Sequence, residues 1–185
     1  MITPNSFKRG MVIEIDKGFF EILEVFWVKP GKGGAFARTK VKNLQTGSIT
    51  EKMFRSEQKV SQISINTVSI EYLYRLDNLY HFMDFQTSEE YVLTEDHLGD
   101  KTHFLVENQK VAAKIHQGSI LDIELPASVT LAVTQTEPGL KGDRVSGATK
   151  GAVLETGFEI QVPLFVKTGD KIKVDTRSGK YLSRA

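Results

Sequence analysis

Apolar and polar residues alternate along most of this chain, and turn-forming residues interrupt them at about 8–12-residue intervals. The stretch "GMVIEIDKGFFEILEVFWV" (residues 10–28) alternates around Asp16-Lys17-Gly18. The pattern repeats in "FARTKVKNLQTGSITEKMF" (36–54) around Gln45-Thr46-Gly47, and in "VSIEYLYRLDNLYHFMDFQT" (68–87) around Asp77-Asn78. A period of two puts successive side chains on opposite faces of a strand, so each stretch reads as a hairpin with one face for a core. Short strands at this spacing build small β-barrels, not layers of helix on sheet. Only "SEEYVLTEDHLGD" (88–100) has helical character, with Ser88 as N-cap and Gly99 as stop. One or two helical turns are expected there.

Length and charge divide the chain. Its 185 residues, 40% hydrophobic and 25% charged, are enough for one or two buried cores. The net charge of +1 hides an asymmetry. Residues 1–64 hold 11 Lys/Arg against 6 Asp/Glu, residues 65–128 hold 4 against 11, and residues 129–185 hold 9 against 6. Basic ends around an acidic middle fit a polyanion touched at both ends, or simply unequal solvated surfaces. The flips near Ser64 and Ser128 mark two candidate joints, leaving segments whose size suits SH3-like or OB-like barrels. A faint echo links "GSILDIELP" (118–126) with "GFEIQVPLF" (157–165), as two related barrels would.

With no cysteine, disulfides and thiolate metal sites are excluded. The N-terminus lacks a continuous apolar signal region, and no run is long enough for a membrane helix, so a cytoplasmic protein is expected.

The loop "KPGKGGAF" carries the most pointed question. A phosphate loop needs Ser or Thr after its lysine, but Gly33 follows Lys32, and both flanks read as strands. A nucleophilic lysine needs a lowered pKa, for which a glycine-flanked hairpin tip is a poor place. Two readings remain: an idle solvated turn, or a tip held out by its strands. Pro30 fixes φ, while Gly31, Gly33 and Gly34 leave the backbone unencumbered. Flanking strands over 26–29 and 36–40 would carry Lys32 roughly 15–20 Å beyond a barrel body.

Around the loop, Lys29, Arg38, Lys40 and Lys42 add cations, the last three alternating on one strand face. Such a row can follow a phosphate backbone, or can simply be solvated. In the C-terminal third, Lys141, Arg144 and Lys150 follow Pro138-Gly139, and Arg177, Lys180 and Arg184 lie in the tail. These form a second candidate patch. Tyr72, Tyr74, Tyr80, Phe82 and Phe85 crowd the acidic middle, where packing explains them better than base stacking. His81, His97, His103 and His116 show no metal-ligand spacing, and no carboxylate pair suggests acid/base work. Neither catalytic residues nor a cofactor are expected.

Several motifs in order resemble the bacterial elongation factor P family over the full chain. The tip "KPGKGGAF" is similar to the family's lysine-bearing loop, and "EPGLKGD" resembles the opening of its third domain. "KGAVLETGFEIQVPLFVKTG" fits its signature through Lys150, Ala152, Gly157, Val162, Pro163 and Gly169, and "IKVDTRSGKYLSR" resembles its tail. The resemblance implies an all-β fold of three small barrels in an L-shape, which raises the domain count to three. An SH3-like KOW domain would span 1–64, an acidic OB-fold domain 65–128 and a basic OB-fold domain 129–185. It implies a monomeric, non-enzymatic factor that binds the ribosome beside peptidyl-tRNA and stimulates peptide-bond formation at consecutive prolines. Its partners would be ribosome, peptidyl-tRNA and ribosomal RNA, with no membrane. The tip lysine, here Lys32, would reach towards the peptidyl transferase centre, often lengthened by a lysine-modifying enzyme. "PGKGG" matches the lysine branch, since a paralogous branch carries arginine in a different tip. The alternative, from the residues alone, is a general OB-fold RNA-binding protein or RNA chaperone.

Overall fold

Turn chemistry sets the strand boundaries. Asp16 and Lys17 both adopt positive φ (51° and 64°), the two-residue geometry that matches strand twist. They join β1 (Val12–Ile15) to β2 (Gly18–Val28). Gly47 (φ 71°) lies between β3 (Phe36–Asn43) and β4 (Ile49–Arg55), and Asp77 (φ 55°) between β6 (Asn66–Leu76) and β7 (Leu79–Asp84). The three expected hairpins form at the expected turns. The computed structural model describes residues 1–29, 31, 34–138 and 148–185.

The remaining strands are β5 (Ser61–Ile63), β8 (Glu89–Thr94), β9 (Gln109–His116), β10 (Ser119–Glu124) and β11 (Ser128–Thr136). They continue with β12 (Thr149–Leu154), β13 (Glu159–Pro163), β14 (Lys171–Asp175) and β15 (Tyr181–Arg184). Three five-stranded sheets result, so the chain is all-β as expected. Their orders are β4-β3-β2-β1-β5, β10-β9-β6-β7-β8 and β13-β12-β11-β14-β15. The second and third sheets share one arrangement. Each centres its own first strand, with the second and third on one side and the fourth and fifth on the other.

That order corrects the internal echo. Residues 118–126 supply the fifth strand of their sheet, whereas 157–165 supply the third of theirs. The two stretches look alike because each enters its strand from a positive-φ glycine (78° at Gly118, 82° at Gly157). They do not occupy equivalent places.

The helix is also corrected. Glu89–Thr94 pairs with β7 over six residues, from Leu79↔Thr94 to Asp84↔Glu89, so Ser88 is a turn residue and caps nothing. Thr94 is the N-cap, its hydroxyl accepting from the His97 amide at 3.3 Å, for one α-helical turn α1 (Glu95–Leu98). Gly99 (φ 54°) ends α1 as expected, but a 3-10 segment, Gly99–Phe104, then continues. Cross-strand pairing of Tyr91, Val92 and Leu93 outweighs the local helical signal.

By compactness the chain falls into two units. One comprises 1–68 and 113–123, the other 69–112 and 124–185, with strands of the second sheet contributing to both. In the first unit Phe7, Ile13, Ile22, Val41, Phe54 and Val60 form the core. In the second, fully buried Leu131, Val162, Val166, Ile172 and Val174 form the centre of a larger cluster. Phe104, at the end of the 3-10 segment, is buried in that same cluster and meets Phe158 edge-on at 5.3 Å. His103 stacks face to face with Phe158 at 4.6 Å. Phe104→Ala is therefore expected to cost about 3–5 kcal/mol. Hydrogen exchange should show the loss at the amides of β11 and β14, although neither strand is adjacent to Phe104 in sequence.

Candidate nucleic-acid interface

The hairpin β2–β3 carries the loop. Its pairing runs from Phe20↔Asn43 to Val28↔Phe36, so Lys29, Gly31 and Gly34 lie beyond the last rung. The candidates Pro30, Lys32 and Gly33 lie outside the described residues, as do Lys141 and Arg144. Lys29, exposed, sits one residue past β2. Gly31 and Gly34 are exposed, and neither adopts the left-handed φ that demands glycine. A Cβ added at either would meet nothing within 4 Å.

Register lays out the outward face of the first sheet in rows. Nearest the loop, Val28, Phe36 and Arg55 stand across three strands, followed by Phe26, Arg38 and Met53. Phe26 and Met53 are 47% and 71% exposed, unusual for large apolar side chains. The Arg38 guanidinium lies 5.8 Å from the centre of the Phe26 ring and 3.7 Å from the Glu51 carboxylate. Beside these rows a groove of about 830 Å³ is lined by Gly34, Phe36, Met53, Arg55, Ser56 and neighbours. Cations interleaved with flat apolar groups can pair with phosphates while bases stack.

Further from the loop the charges are balanced. Lys40 stands between Glu24 and Glu51 as cross-strand neighbours. The Lys42 ammonium donates to the buried Asp122 carboxylate at 2.6 Å. The three cations do share a strand face, opposite buried Ala37, Thr39 and Val41, but Lys42 has its charge matched within the protein.

Sequence reasoning missed Arg55, Phe26 and Met53. Their alternation was visible in each strand; what was missing was the register that sets β4 beside β3.

The C-terminal candidates are spread over the third sheet. Lys150, on β12, donates to the Glu137 carbonyl at 2.6 Å, and Arg184, on β15, pairs with Asp170 at 2.8 Å. Exposed Arg177 and Lys180 belong to the turn between β14 and β15. Asp175 organises that turn, accepting from the Ser178 amide (2.7 Å), the Ser178 hydroxyl (2.8 Å) and the Arg177 amide (3.0 Å). These donors, Ser178 first, hold its carboxyl below the usual carboxylate range.

In the middle segment, Tyr72, Tyr80 and Phe82 are buried, whereas Tyr74 stacks on His81 at 4.5 Å in partial exposure and Phe85 faces solvent. Burial, then Tyr80, pushes the Tyr72 phenol up to about 12. Among the described residues no three His, Asp or Glu gather as for a metal, and no helix is long and apolar enough to cross a membrane.

A first sheet with exposed arginine and aromatic rows is followed by two sheets of one shared order. Three family models tile the chain. They are the elongation factor P KOW-like domain over 3–60, its OB domain over 65–123 and its C-terminal domain over 129–184. Elongation factor P of Natranaerobius thermophilus is 47% identical over 184 residues, covering 100% of this chain and 98% of the relative. That of Acidothermus cellulolyticus is 46% identical over 185 residues, covering 100% and 99%. The chain belongs to the elongation factor P family. Among solved structures, eukaryotic translation initiation factor 5A from Methanococcus jannaschii matches with a TM-score of 0.53 at 23% identity, over 67% of this chain and 91% of that one. That likeness bears on fold alone.

Two outcomes are expected. Arg38→Gln and Arg55→Gln should each flatten the salt dependence of single-stranded RNA affinity by about 0.7 in log–log slope, with unchanged circular dichroism. For Asp175, the folded pKa lies below the unfolded one, so its stabilisation is present above the ordinary value of 3.8 and lost as pH falls through the folded value. The Tm of Asp175→Asn should therefore lie below wild type at neutral pH, and the gap should close in acid.

Proposed function

We propose that this chain acts on the ribosome beside peptidyl-tRNA and stimulates peptide-bond formation at consecutive prolines. In this reading Lys32, of the lysine-tip branch, extends towards the peptidyl transferase centre, bare or lengthened by a modifying enzyme. The protein works in the cytoplasm as a monomer, with domains at 1–64, 65–128 and 129–185. Its contacts to transfer and ribosomal RNA come from the exposed cations of the first and third domains.

The observation that supports this most directly is negative steric demand. Gly31 and Gly34 need be glycine neither for φ nor for space within the protein itself. Glycine there costs unfolded-chain entropy for no return inside the fold. A narrow site entered by the loop supplies the missing reason: a slim backbone passes where side chains would not.

The chemistry then belongs to the ribosome. Proline is a poor nucleophile and a rigid peptidyl residue, so the stalled state is badly oriented. Orientation alone can be worth ~7–11 kcal/mol of a barrier, and a positioned cation that restores part of it accelerates the step without covalent involvement. Lys32 acts as an electrostatic and steric positioner.

Gly34→Ala separates the two demands on the loop. It should leave stability unchanged or raise it by about 0.4–1 kcal/mol, while weakening rescue of a Pro-Pro-Pro reporter in a reconstituted translation system. Lys32→Ala should fold normally and lose rescue. Full rescue by Lys32→Ala would remove that side chain from the mechanism, and RNA affinity indifferent to it, without any rescue by the parent protein, would favour a general RNA binder.

A further inference from the structure

The pairing of Lys42 leads to a second network. Glu21 and Lys42 are direct cross-strand partners on β2 and β3, opposite charges side by side. Yet each also reaches out of its own sheet. Lys42 bonds Asp122 of β10 at 2.6 Å, and Glu21 accepts from Lys114 of β9 at 2.7 Å. All four belong to one compact unit. The side chains of Asp122, Lys114 and Glu21 are only 3%, 12% and 17% exposed, so these are not ordinary surface ion pairs.

What surrounds them is small. Val12, Leu44 and Leu121 form the buried apolar joint here, with Phe19, Ile63 and Ile65 packed at its edge. His116 adds a tilted contact with Phe19 and a ring nitrogen 2.9 Å from the Ser64 carbonyl. The strand β10 is buried at four successive positions, Ile120 to Ile123, so both its faces are covered. A joint of so few aliphatic side chains is non-directional and tolerates sliding. Charges do not, because sliding Asp122 along β3 would part a nearly buried carboxylate from the ammonium it bonds at 2.6 Å.

We propose that Asp122, Lys42, Glu21 and Lys114 are positioning residues that fix the angle of the hairpin β2–β3 against the β9–β10 hairpin. That hairpin bears the loop, so the network aims Lys32 from one end of the strands while the loop works at the other. The functional half of this inference rests on the reading under Proposed function; the geometric half does not.

Asp122 and Glu21 give the cleanest test, because removing a carboxylate near RNA would by electrostatics alone strengthen binding. Positioning requires the reverse. The chain has no cysteine of its own, so Thr50→Cys and Ser119→Cys place one spin label on β4 and one on β10. Electron–electron distance spectroscopy on the free protein should give one narrow distribution. Glu21→Gln with Asp122→Asn should broaden it at least twofold with β-sheet circular dichroism preserved. Lys42→Arg, which keeps the charge, should retain the narrow form. The carboxylate double variant should also need several-fold more protein for half-maximal rescue of the Pro-Pro-Pro reporter. An unchanged distance distribution overturns the positioning role, and so does a broadened one with undiminished rescue. If the parent protein itself gives no rescue, the functional reading fails while the spectroscopic result still decides the geometry.

Discussion

Eight cross-strand pairs between β2 and β3 underlie everything the first sheet does. They keep the two strands together to Val28 and Phe36 and put Phe26 beside Arg38, a row that the β3–β4 pairing extends to Met53. They also bring Glu21 and Lys42 side by side, far from the loop. A bulge between Ile22 and Glu24 lets the same ladder serve both ends, since the extra residue increases local twist between the two regions. Without that pairing the loop would be a tether and the cations would have no common face.

Net charge is a poor guide to this surface. The first segment is strongly basic by count, but the ladder sets Lys40 between two glutamates and sends Lys42 to a carboxylate from the acidic middle. What stays outward near the loop is arginine with aromatic and thioether neighbours. Arginine is less strongly hydrated than lysine and stacks on flat groups, so it suits a partly apolar contact. The acidic middle accordingly has an internal use: Asp122 answers a cation of the first sheet.

Much of the architecture was legible in the sequence because it is local. Asp16-Lys17, Gly47 and Asp77 declare their hairpins through backbone preference, and period-two alternation identifies the buried face of β3 correctly. What was not legible is non-local. Ser88 read as a helix cap because pairing of 89–94 with β7 leaves no mark within that segment. The echo between 118–126 and 157–165 misled because hairpin glycines recur wherever strands turn. Lys42 read as an outward cation because Asp122 lies 80 residues away. At the site, the glycines around Lys32 were evident, but that Gly31 and Gly34 have no internal steric reason required the fold.

The strand β10 also bears on how the molecule is made. A chain emerging from its N-terminus completes all five strands of the first sheet by Ile63, long before Leu121 and Asp122 exist. Until then Val12, Leu44 and Phe19 face water, and Lys42 has no carboxylate from β10. Exposed apolar surface on a growing chain invites wrong partners. The small size of that joint therefore has a second value: it limits the sticky area carried during synthesis, and leaves the late-arriving charges to lock what the early sheet could not close alone.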